Sequence, residues 1–167
     1  MRMTLLLTFL LSSISWAQNP VSDGLRTMLA SRAKNTIAAA EEMPAEKYNY
    51  KPTEAQAPFG HWVSHAVEAN YLLCGKLTDA TAPSTDAKET DAKDKLISEL
   101  KKSFDFCSAQ LPKLQDTQLA SEIAIFGGRK VTKGRAALEL SADWADHYAQ
   151  MATYLRLNGL LPPTAKK

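Results

Sequence analysis

The sequence predicts an all-α domain. Four segments repeat apolar residues every three to four positions, no segment alternates polar and apolar residues convincingly enough to be called a strand, and prolines or an Asn-Gly pair close the segments. Each element follows from its own residues.

Residues 1–17 stand apart from that domain. They carry one arginine, Arg2, then the apolar run Leu5 to Leu11, then Ser15 and Ala17 as small residues flanking a cleavage site before Gln18. The run is too short to span a bilayer as a helix, so the segment reads as a cleaved signal peptide. What remains, residues 18–167, is one domain of 150 residues with a net charge of +1, expected to be periplasmic or secreted and free of the membrane once cleaved. No cysteine follows the apolar run, so a lipid anchor is not indicated.

The first helix is expected from Pro20 or Val21 to Glu42, with Leu25, Leu29, Ala33, Ile37 and Ala40 on its buried face, Ser22 or Asn19 as its cap, and Pro44 after its end. A connector follows whose aromatics, Tyr48 and Tyr50, fit no helical period and are expected to pack over a bundle end. The second helix starts near Pro58 and runs to about Leu77. Thr78 to Thr90, built almost wholly of Asp, Thr, Ala, Ser, Lys and Pro, reads as a solvated, mobile loop. The third helix spans about Asp91 to Gln110, ending before Pro112. Ile123 to Phe126 reads equally as a helical turn or a buried loop. The fourth helix, about Thr132 to Leu157, is the most periodic, with Leu140, Trp144, His147 or Tyr148, Met151 and Leu155 inward, and Asn158-Gly159 stops it.

Composition excludes some functions. A formal charge of +2 over the whole chain, with no basic stripe, gives little of the phosphate neutralisation that nucleic-acid binding needs. The basic loop of Arg129, Lys130, Lys133 and Arg135 lacks the order of a phosphate-binding loop, and reads as a solvated turn or as a lure for an anionic substrate. Export places the two cysteines in an oxidising compartment, and both lie on apolar helical stripes, so Cys74 and Cys107 are expected to form a disulfide.

The three histidines carry the chemistry. His61 and His65 stand one turn apart on the second helix, and Asp143 and His147 show the same spacing on the fourth. Two helices each offering ligands at i and i+4 can build a metal site inside a bundle, and imidazoles with a carboxylate suit Zn, Ni or ferrous Fe. The spacing alone equally allows hydrogen-bonded structural histidines.

Three stretches, MPAEKYNYKPT (43–53), FGHWVSHAVEANYLLC (59–74) and DHYAQMATYLRLNGLLPP (146–163), together resemble exported members of the DinB-like superfamily. The resemblance implies a four-helix bundle with up-down-down-up connections, often a homodimer, and a divalent-metal site made by one histidine of the second helix and a HxxxH pair of the last. Carried over residue by residue, the ligands are His65 and His147, with Asp143 where the family usually has histidine and His61 as the alternative ligand. A carboxylate ligates the same ions, which keeps the site open to metal-dependent hydrolase or thiol-transferase-like activity on a small molecule. The competing reading is a non-catalytic helical binding module that has lost the site.

Overall fold

The computed structural model describes residues 18–166, so residues 1–17, expected to be a signal peptide, lie outside the described residues. The described part holds α1 (Pro20–Glu42), α2 (Phe59–Leu77), α3 (Lys93–Gln110) and α4 (Lys133–Leu157), with a hairpin of β1 (Glu122–Ala124) and β2 (Lys130–Thr132) in the α3–α4 connection. Among the described residues no helix is long and apolar enough to cross a membrane.

Specific contacts set the helix directions. Tyr48, just after α1, stacks edge-on against Phe59 at the start of α2, which makes those two helices antiparallel. Cys74 and Cys107, each near the C-terminal end of its helix, form a disulfide with Cα atoms 5.3 Å apart, so α2 and α3 run parallel. Trp144 of α4 bonds Asn70 of α2 while His147 meets His65, so α4 runs against α2. The result is the up-down-down-up bundle.

Its core is apolar, with Phe59, Leu73, Leu77, Leu96, Leu100, Leu140, Met151, Tyr154 and Leu155 fully enclosed. One polar cluster interrupts it. Asn70 accepts from the Trp144 indole at 2.8 Å and donates to Ser103 Oγ at 3.0 Å, and Ser103 donates to the Leu100 carbonyl at 2.8 Å. Three helices thereby share one satisfied network, as buried polar groups require. The Tyr48 hydroxyl donates to the Ala40 carbonyl, which seats the connector's aromatics on the bundle end as their lack of period foretold.

Several expectations are corrected. Ile123 belongs neither to a helical turn nor to a buried loop but to β1, paired antiparallel with Val131, and three-residue strands are too short to show alternation in sequence. On α1, Ala33 and Ile37 are only half-buried, while Thr36 and Ala39, and Met43 just after the helix, are buried. Asn19 holds the N-cap position without capping its own helix. The Asp116 carboxylate instead accepts from the backbone N–H groups of Val21 and Ser22, and the Asp116 N–H donates in turn to the Asn19 side-chain oxygen. The segment 78–90 is not simply solvated: Ala87 is buried, Ala82 packs on the core, and the Glu89 carbonyl lies where any Cβ on Gly60 would sit. Of the basic loop, Arg129 and Arg135 pair with Glu139 while staying exposed, buried Lys133 pairs with Asp79, and Lys130 is exposed, as a solvated turn would have it.

Candidate metal centre

Helix periodicity brings the histidines together. His61 and His65 are successive on one face of α2, and their rings stack 5.6 Å apart, nearly parallel at 16°. His147 on the facing helix meets His65 edge-on, with ring centroids 5.0 Å apart. Two imidazoles bound to one tetrahedral or octahedral ion, at bonds near 2.0–2.1 Å, have centroids about 4.5–5.2 Å apart. The His65–His147 pair therefore stands at the separation a shared ion needs.

Environment separates the two rings. His147 is 4 % exposed, whereas the side chain of His65 is 38 % exposed. Burial, reinforced by the neighbouring His65, pushes His147 down to about 4 against the pull of Asp146. At neutral pH its ring is uncharged and carries a lone pair, the state a metal ligand requires. Asp143 lies one turn before it, half-buried. Burial raises its carboxyl, which His65 opposes and Glu139 and Asp146 reinforce, with no hydrogen bond contributing. A carboxylate taken partly out of water without a hydrogen bond gains from a nearby cation.

The donor chemistry of His65, His147 and Asp143 thus fits a divalent ion. Their placement is only partly assembled: among the described residues no three His, Cys, Asp or Glu side chains are grouped to hold an ion. His61, the alternative ligand, is engaged elsewhere, its Nδ1 3.0 Å from Glu89 Oε2 on the connector that crosses the start of α2.

Further residues escaped the sequence reading. Glu89 sat in a stretch that composition marked as solvent, and Phe126 in a run of undecided structure. Phe126 lies against His65, with ring centroids 6.5 Å apart. Trp62, expected to serve as core or pocket wall, packs against His61 at 5.4 Å and His147 at 6.2 Å. A cleft of about 490 Å³ opens further along α2, lined by Tyr71, Leu72, Lys76, Asp79 and Ile123. Leu72 lies two turns beyond His65 on the same helical face, so the cleft opens on the side of α2 that carries His65.

This bundle, with histidines facing one another from its second and last helices, defines a class of small helical domains. The DinB superfamily profile matches residues 28–151, and the chain belongs to that superfamily. It is 28 % identical over 127 residues to the uncharacterized protein YjoA of Bacillus subtilis (strain 168), an alignment covering 74 % of this chain and 82 % of that one. The crystal structure of that DinB-like protein superposes with a TM-score of 0.66 at 24 % identity, covering 86 % of this chain and 99 % of the other. A DinB-like protein from Bacillus cereus gives 0.69 at 16 % identity, over 89 % and 98 % of the two chains. A mutant of a mycothiol-dependent maleylpyruvate isomerase gives 0.61 at 13 % identity, covering 78 % of this chain and 60 % of that one. At those identities the structures establish the shared fold.

Proposed function

We propose that this is an exported metal-dependent protein of the superfamily, in which His65 and His147 hold a divalent ion between α2 and α4 and Asp143 supplies the third ligand. The observation that carries the reading is the 5.0 Å separation of the His65 and His147 rings across two helices. Zn, Ni and ferrous Fe suit two imidazoles and a carboxylate. Such an ion supplies Lewis acidity and lowers the proton affinity of a water or a thiol. The chain's own contribution is to keep His147 neutral by burial, to set His65 opposite it, and to pack Phe126 against His65. The reaction class we assign is hydrolysis or thiol transfer on a small molecule. The mycothiol-dependent isomerase among the structural relatives supports including thiol chemistry.

Metal analysis of protein purified without chelators tests this. Wild type should carry a divalent ion that His65→Ala, His147→Ala and Asp143→Ala each release, and a wild type that takes up none at micromolar supply overturns the reading. The absence of a completed three-ligand group among the described residues favours a second reading, a helical binding module without the metal. That reading expects all four proteins to behave alike. Light scattering reads the homodimer that the resemblance implies.

A further inference from the structure

Trp62 Nε1 is a buried donor with no hydrogen-bond partner among the described residues. The indole of Trp144, in the same bundle, is satisfied by Asn70 at 2.8 Å. Indole nitrogen only donates, so it cannot be rescued by a change of role, and native structures rarely leave such a group unpaired without a missing partner. The Trp62 ring stands between His61 and His147, at 5.4 Å and 6.2 Å. The orphan donor therefore belongs to the histidine cluster.

We propose that Trp62 Nε1–H is a positioning donor for the molecule that occupies the metal centre, and that this molecule presents a carbonyl or carboxylate oxygen there. The inference rests on the metal-site reading above. Two features of the surroundings narrow the class. The acceptor must come from outside the chain, because no side-chain or backbone acceptor among the described residues reaches the indole. The neighbouring rings are aromatic: Trp62 packs on His61 and His147, and Phe126, 37 % exposed, packs on His65. An oxygen acceptor joined to an apolar group matches a lone donor set among aromatic rings.

Acetate is the simplest probe of that class. In protein carrying ¹⁵N-labelled tryptophan, the Trp62 indole signal is assigned by its loss in Trp62→Phe. Zn²⁺ should first shift the His65 and His147 ring signals. Acetate added to the zinc-loaded protein should then move the Trp62 indole N–H downfield and saturably, leaving Trp144 in place. In Trp62→Phe, acetate binding read on the histidine rings should weaken roughly tenfold to a hundredfold, the loss of one hydrogen bond to a charged acceptor, while zinc affinity is retained. If zinc and acetate shift the histidines but the Trp62 indole stays still, or if Trp62→Phe binds acetate as tightly as wild type, this inference fails alone. If zinc leaves the histidines unmoved, the metal reading fails and takes this one with it.

Discussion

Asn70 is the residue whose removal should do most to loosen the site without touching it. Its side chain is buried, accepts from the Trp144 indole at 2.8 Å and donates to Ser103 at 3.0 Å. Asn70→Ala leaves the Trp144 N–H orphaned, which costs about 1–3 kcal/mol, and removes the bond to Ser103, worth about 1 kcal/mol. Ser103 keeps its bond to the Leu100 carbonyl, so no second orphan arises. The sum is about 3 kcal/mol, or a fall in Tm of roughly 6–12 °C for a domain of this size. Urea unfolding of Asn70→Ala, Trp144→Phe and the double variant reads it. Removing the indole N–H together with Asn70 removes the orphan, so the double variant should lose roughly 1–2 kcal/mol less than the two singles added. Because Asn70 and Trp144 fix how α4 sits on α2, zinc binding should weaken in Asn70→Ala although no ligand has changed. A single variant within about 0.5 kcal/mol of wild type, or strictly additive singles, would refute the reasoning.

Other outcomes follow from the same contacts. The Cys74–Cys107 disulfide closes a loop of 33 residues, for which chain entropy gives about 3–4 kcal/mol, so reductant should lower the urea midpoint and Cys74→Ala/Cys107→Ala should match the reduced protein. In metal-free protein, His147 stays neutral down to about 4 while the unfolded chain takes up its proton near 6.5. The unfolded state therefore binds more protons in that window, and stability should fall as pH drops from 6.5 to 4, by on the order of 3 kcal/mol. His147→Gln should flatten that part of the stability profile measured in chelator. Gly60→Ala drives a methyl into the Glu89 carbonyl, so it should cost about 1–3 kcal/mol and free the His61 side chain, which ¹⁵N signals of the ring would report.

The four helices were legible because each buries a stripe at helical period, and the ends held to within two residues where Pro58 and Asn158-Gly159 mark them. The pairing of Cys74 with Cys107 was equally legible, since both sit on buried stripes of neighbouring helices. The hairpin was not, because a strand of three residues shows only one and a half periods. Asp116 could not be read as a cap for α1, since it lies far along the chain from the N–H groups it accepts from. Of the site, the i, i+4 spacings of His61, His65, Asp143 and His147 were visible, and the facing of α2 on α4 turned two of them into a pair. Glu89 and the orphan donor of Trp62 depend on which surfaces meet, which no local pattern encodes.

The parallel course of α2 and α3 has a mechanical consequence for the segment between them. Residues 78–92 must return from the end of one helix to the start of the next, along the full height of α3. Eighteen helical residues rise about 27 Å, and an extended chain covers at most about 3.3–3.6 Å per residue, so roughly eight residues are the shortest tether that closes the bundle. The composition of this stretch can vary where its side chains are exposed, but its length cannot: deletions beyond that slack would pull the segment off α2, drag Glu89 from His61, and be felt at the histidines from the far side of the loop.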